Sequence, residues 1–170
     1  MSEFRSSDPA FFGPVYWRII NNVCATLDYL VDKYDKRHLF YLFGAFIYSI
    51  AACLPCIYCR ESLRMFLSSE PLYNPSTSID WLRFKRMFSI NERETFRRYS
   101  YDLRMAVNTK LLWSNPNIGA SVVTWDYALT HIFGLENGYD ILTDVNLLET
   151  TLKNEYTPKL VYYIRTIQNM

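Results

Sequence analysis

The stretch Ala51-Ala-Cys-Leu-Pro-Cys-Ile-Tyr-Cys-Arg60 decides how the chain is read. Pro55 has no amide hydrogen, and its ring clashes with the carbonyl four residues back, so a helix arriving from the N-terminal side breaks there. Proline suits the first turn of a new helix, where its amide would be unpaired anyway. Cys56 then falls near a helix N-terminus, whose free amides and dipole favour a thiolate. Cys59 follows one turn later on the same face. The spacing predicts a reactive pair rather than an inert staple.

Working outward, the segment Leu39 to Cys53 is apolar nearly all round, which predicts a helix in the middle of a bundle. It is shorter than the roughly 20 apolar residues that span a bilayer, so a buried core helix is expected. Gly44 inside it costs about 1 kcal/mol against alanine, which predicts a close helix–helix or ligand contact. Before it, Trp17, Ile20, Val23, Leu27, Leu30 and Val31 recur at helical spacing, predicting an amphipathic helix from Val15 to about Lys33. Pro14 would open that helix, and Tyr34 to His38 reads as a charged turn.

Beyond the motif, a third helix is predicted from Pro55 or Cys56 to about Leu67, then a Ser/Pro-rich loop over Ser68 to Ser78. Ile79 to Phe88, with Trp81 and Phe84, reads as a short helix. Ser89 or Asn91 would cap a longer one from about Glu92 to Leu112, with Phe96, Tyr99, Leu103, Val107 and Leu111 on its inner face. Trp113 to Gly119 reads as a loop. Ser121 would cap a further helix through Phe133, ended by Gly134. Thr143 to Lys153 and Pro158 to Gln168 each read as a short helix of a tail, or as a partly ordered extension. No stretch alternates like a strand, so the class is all-α.

Composition narrows the field. Half the chain is hydrophobic and 17% aromatic, which argues against disorder. The net charge of +1, with no long run of one sign, gives no footprint for nucleic acid or an anionic membrane. Four cysteines (Cys24, Cys53, Cys56 and Cys59) are too few for a secreted disulfide scaffold, and three crowd into seven residues, which marks a site. The first residues carry no apolar signal region.

Three chemistries compete for the cysteines. Cys53, Cys56 and Cys59 with Cys24 or His38 make a zinc ligand set on paper, but zinc pairs sit on knuckle turns, whereas Cys53 lies in an apolar helical run. Cys24 and Cys53 read instead as small buried hydrophobes. Cys56 and Cys59 do not, because their placement favours thiol–disulfide exchange. A thioredoxin-like domain needs strands around the motif. A dithiol that achieves net oxidation needs a two-electron acceptor, and a flavin is one.

The ordered set of Phe12-Gly13-Pro14-Val15-Tyr16-Trp17, Leu54-Pro55-Cys56-Ile57-Tyr58-Cys59 and Arg64, Tyr99 through Val107-Asn108, and Trp125 resembles the Erv/ALR family of FAD-linked sulfhydryl oxidases, most of all its virally encoded members. The resemblance covers about residues 11 to 128. It implies a four-helix bundle plus a short fifth helix, with an FAD-binding domain over residues 1–134 and a helical C-terminal extension over 135–170. It also implies FAD, catalytic Cys56 and Cys59, and a cofactor set of Gly13, Trp17, Tyr58, Tyr99, Leu103, Val107, Asn108, Lys110 and Trp125. In that pattern substrate thiolate attacks Cys56, Cys59 faces the flavin, and oxygen becomes hydrogen peroxide. The implied partners are protein dithiols or a small thiol carrier protein, and a second copy in a homodimer. A viral member would act in the cytoplasm of an infected cell or in the virion. The chain departs from the family at Arg104-Met105, where a His-Asn is usual, at Tyr99 in place of tryptophan, at Asn21 in place of histidine, and in lacking a second, shuttle pair of cysteines.

Overall fold

A computed structural model describes residues 8–69, 94–133 and 141–170. Among them the chain is all-α, with seven helices and no strand. These are α1 (Pro9–Leu30), α2 (Lys36–Cys53), α3 (Ile57–Ser69), α4 (Thr95–Ser114), α5 (Trp125–His131), α6 (Ile141–Thr150) and α7 (Thr157–Gln168). The short helix expected over Ile79 to Phe88, most of the loop before it, the caps Ser89 and Asn91, and Gly134 lie outside the described residues.

Helix α1 is the hub, packing against α2, α4, α6 and α7, while α2 also packs on α3 and α7. It begins earlier than the sequence predicts. The Asp8 carboxylate accepts from the Ala10 amide at 2.9 Å, and Pro9 takes the first helical place. Pro14 is therefore inside the helix. Helix α2 likewise starts inside the expected charged turn, because Asp35 caps it by accepting from Arg37 and His38. Gly44 gives no close contact: a Cβ there would meet nothing within 4 Å. Trp113, expected in a loop, lies in the last turn of α4. The helix expected from Ser121 begins at Trp125, capped by Thr124, whose hydroxyl accepts from Tyr127 N.

The core is one cluster in which α1, α2 and α7 supply most of the side chains, with Phe43, Phe46, Ile19, Leu27, Ile47, Ile50 and Phe96 fully buried. The last two helices add Leu148, Leu160, Val161, Ile164 and Ile167 to it. Polar ties fasten the same segment. Arg18 holds Asp144 with two hydrogen bonds of 3.1 and 2.9 Å, and Gln168 donates to Asn22 at 2.9 Å.

Helices α1 and α4 run antiparallel and meet in three rungs. The Arg104 guanidinium lies 5.5 Å from the Trp17 ring, Ser100 donates to buried Asn21 at 2.7 Å, and Asp28 receives the first amides of α4. On α4, Phe96, Tyr99 and Leu103 are buried as the periodicity predicts, but Val107 is half-buried and Leu111 is 38% exposed. The apolar stripe thus continues past the point where the protein covers it.

Candidate redox site

The break predicted at Pro55 is present. Helix α2 ends at Cys53, and α3 begins at Ile57. The end of a helix leaves carbonyls without an intrahelical donor. Here Cys53 O accepts both the Tyr16 hydroxyl at 3.2 Å and the Asn154 side-chain amide at 2.8 Å, and Leu54 O accepts from Arg60 Nη1 at 2.9 Å. The turn between the two helices is held from three directions.

Cys56 occupies the N-cap place of α3. Its carbonyl accepts from Arg60 N at 3.0 Å, and its sulfur accepts from Cys59 N at 3.3 Å. A sulfur thus does what a serine oxygen does at an ordinary N-cap. Burial works against the Cys56 thiolate, but hydrogen bonds from the Cys59 thiol and the Cys59 and Tyr58 amides, with the Arg60 charge, outweigh it and hold its pKa below the ordinary thiol value. Cys59 goes the other way. Burial, reinforced by the sulfur of Cys56, pushes its thiol up to about 12. The two sulfurs are therefore unequal in the reduced protein, and Cys56 is the more readily ionised.

The other two cysteines are core residues. Cys24 and Cys53 are fully buried, and burial pushes the Cys53 thiol up to about 11 against a hydrogen bond with Thr157. Among the described residues, no three His, Cys, Asp or Glu side chains gather closely enough to hold a metal ion, so the paper ligand set of Cys24, Cys53, Cys56, Cys59 and His38 is not brought together. His38 lies in the first turn of α2, and the His131 ring sits 4.3 Å from that of Tyr127.

The residues assigned to a flavin fall into five groups. On α3, Cys59, Ser62 and Phe66 share a face, and Lys110 of α4 reaches that face, donating to Ser62 Oγ at 2.9 Å with its ammonium 5.7 Å from the Phe66 ring. Val107 lies one turn before Lys110. Trp17 carries Arg104 on its ring, and Gly13 precedes Trp17 by one turn, with open space where a Cβ would stand. Tyr99 and Leu103 belong to the core, Tyr99 packing edge-on to Phe43 at 5.4 Å. Asn108 and Trp125 serve another flank of α4. Asn108 donates to Ser121 O at 2.8 Å, and Trp125 packs on Tyr101 and Phe133 under the Arg98 guanidinium. Tyr58, 78% exposed, and Ile57, 54% exposed, border Cys56 on the solvent side.

A planar ring with a diphosphate needs an apolar slot and cations. Val107 and Leu111 offer partly uncovered apolar surface on α4, the helix from which Lys110 reaches Ser62. Arg104 is half-buried, has no carboxylate partner among the described residues, and has its pKa pushed down by burial. Trp17 with Arg104, and Phe66 with Lys110, each set a cation against an aromatic ring, the groups such a cofactor uses, whereas Tyr99 and Leu103 are buried in the core. Sequence reading missed Tyr16, Arg60 and Asn154 as holders of the turn. The signal for them was the break itself, which must leave carbonyls seeking donors. No helix among the described residues is long and apolar enough to cross a membrane. Comparison with known proteins found no family model, no curated protein and no solved structure that matches this chain.

Proposed function

We propose that the protein is a flavin-dependent thiol oxidase of Erv/ALR type, which forms disulfides in protein dithiols and passes the electrons to oxygen. One observation carries the reading: Cys56 caps α3 with its sulfur and is held toward the thiolate, while Cys59, one turn on, is held toward the thiol. In this proposal α1 to α4 form the family's bundle, α5 is its short fifth helix, and the chain works as a homodimer.

The reaction starts from the Cys56–Cys59 disulfide. A substrate thiolate attacks the partly exposed Cys56 sulfur, the Cys56–Cys59 bond breaks, and Cys59 leaves as thiolate. With Cys56 tied into the mixed disulfide, its own anion no longer opposes ionisation of Cys59, and the Arg60 charge remains to favour it. The substrate's second thiolate then attacks its own sulfur in the mixed disulfide. Cys56 leaves as a thiolate received by the Cys59 and Tyr58 amides and Arg60. The substrate has become a disulfide and the enzyme pair a dithiol. FAD, when bound, supplies the two-electron acceptor that thiols alone lack, with oxygen as the final oxidant and hydrogen peroxide as product. Trp17, Val107 and Lys110 would hold it beside the Cys59 face, with Arg104 on its phosphates.

Cys24 and Cys53 are buried in the core and out of reach of a substrate, so in this proposal a protein dithiol or a small thiol carrier reaches Cys56 directly, over the rim of Ile57 and Tyr58. The test is a Cys59→Ser variant incubated with a protein dithiol in its disulfide form, whose bond the Cys56 thiolate breaks by attacking one sulfur and releasing the other as thiolate. It should accumulate a mixed disulfide through Cys56. No trapped species, or one through Cys24 or Cys53, would count against the proposal.

A further inference from the structure

The turn that presents Cys56 is held from the far end of the chain. Asn154 lies between α6 and α7, 101 residues after Cys53, and its side-chain amide donates to Cys53 O at 2.8 Å. The rest of that side chain is fixed too. Its Oδ1 accepts from Tyr156 N at 2.8 Å, so the oxygen is engaged and the NH2 group is the part left to face Cys53. The Asn154 backbone amide donates to Thr157 Oγ1 at 2.8 Å, and Thr157 also hydrogen-bonds the Cys53 thiol. One four-residue turn thus grips Cys53 by carbonyl and by sulfur.

Only Leu54 and Pro55 separate Cys53 from Cys56, and Leu54 is pinned at its own carbonyl by Arg60. With both ends of this link held, the Cys56 sulfur is kept in line with Cys59 N. We propose that Asn154 is a positioning residue for the Cys56–Cys59 pair, setting the thiolate character of Cys56 through Cys53. The proposal rests on reading that pair as a redox centre and adds to it a controlling contact from the C-terminal segment. Asn154 is half-exposed and polar, so removing its amide opens no core cavity. What is lost is the hold on the turn.

The experiment compares the full-length reduced protein with Asn154→Ala, Asn154→Asp and Gln168→Ala. Asn154→Asp keeps the oxygen that accepts from Tyr156 N, loses the donor and adds a negative charge that by itself opposes the thiolate. An upward shift therefore counts for the proposal only when the uncharged Asn154→Ala shows it too, while an unchanged midpoint in Asn154→Asp counts against it. Gln168→Ala removes a polar tie of the same segment to α1, remote from the turn. Iodoacetamide labelling of Cys56 is followed against pH by peptide mass spectrometry, and the Cys56–Cys59 equilibrium is titrated in glutathione buffers. Both Asn154 variants should move the labelling midpoint upward, slow labelling at neutral pH several-fold, and make the pair more reducing, because the reduced form loses a stabilised thiolate. Gln168→Ala should leave both readouts in place. An unchanged midpoint and equilibrium in folded Asn154→Asp, or an equal shift in Gln168→Ala, would overturn the proposal. Neither readout needs flavin or oxygen, so failure of the oxidase reading would show separately.

Discussion

Asp28 of α1 and Arg97 of α4 meet across 69 residues of sequence: one carboxylate accepts the Arg97 backbone amide at 3.1 Å, its Nε at 2.9 Å and the Phe96 amide at 2.8 Å. No side chain of α4 itself caps its start. The cap comes from another helix, and it is almost wholly buried.

That burial predicts a pH dependence. Desolvation outweighs the donors around Asp28 and lifts its pKa from 3.8 to about 6. Between those values the folded state holds a proton that the unfolded chain has released. Stability from this group is full below about pH 4, falls as pH rises to about 6, and is flat above. The loss is on the order of 3 kcal/mol. Asn cannot titrate, so Asp28→Asn should remove this slope. Denaturant unfolding of both proteins from pH 4 to 7 reads the difference, and parallel curves would refute the assignment.

The sulfur cap predicts which thiol reacts. In the reduced protein at neutral pH, iodoacetamide should label Cys56 well ahead of Cys59, and Cys24 and Cys53 only on unfolding. Arg60→Gln should slow the Cys56 reaction several-fold, since it removes a charge near the thiolate and the tie to Leu54 O. Peptide mapping by mass spectrometry checks the order. Preferential labelling of Cys59 would reverse the proposed roles.

Gly13 separates packing from ligand binding. A Cβ there meets nothing within 4 Å, and alanine in a helix interior gains about 0.5–1 kcal/mol over glycine. Gly13→Ala should therefore raise the unfolding midpoint of the flavin-free protein and lower its affinity for FAD. Unaltered FAD affinity would remove Gly13 from the cofactor set. Gly44→Ala, with the same open surroundings, should stabilise without touching flavin content.

The C-terminal helices should prove inseparable from the rest. Each fully buried aliphatic side chain contributes roughly 1.5–3 kcal/mol, so losing Leu148, Leu160, Val161, Ile164 and Ile167 approaches the whole stability of a domain, about 5–15 kcal/mol. Deleting residues 141–170 should abolish cooperative unfolding, read by circular dichroism during a denaturant titration. A truncated chain that unfolds as sharply as the intact one would contradict this.

What the sequence made legible was local. Pro55 announced the break, and with it the placing of Cys56 at a helix N-terminus, because both follow from one missing amide. The helical periodicity of α1 and of the first half of α4 predicted their buried faces. Boundaries went astray where two residues offered the same signal: Pro9 and Pro14 both suit a helix start, and the Asp8 carboxylate decides for the first. The contacts that shape the site were not legible. Asp28 capping α4, Tyr16 and Asn154 on Cys53 O, and Lys110 reaching Ser62 join residues far apart in sequence, and no pattern of spacing encodes them. Tyr99 and Leu103 show the converse. Their spacing suits a cofactor wall as well as a core, and packing against Phe43 makes Tyr99 core.

The most direct measurement is the visible spectrum of the purified full-length protein, taken without air before and after a dithiol is added, then on readmitting air. The flavin oxidase account predicts a yellow protein with stoichiometric FAD, bleached by dithiol, restored by air with release of hydrogen peroxide, and unbleached in Cys59→Ser. A colourless protein that takes up no FAD when it is supplied, or bleaching that persists in Cys59→Ser, would contradict it.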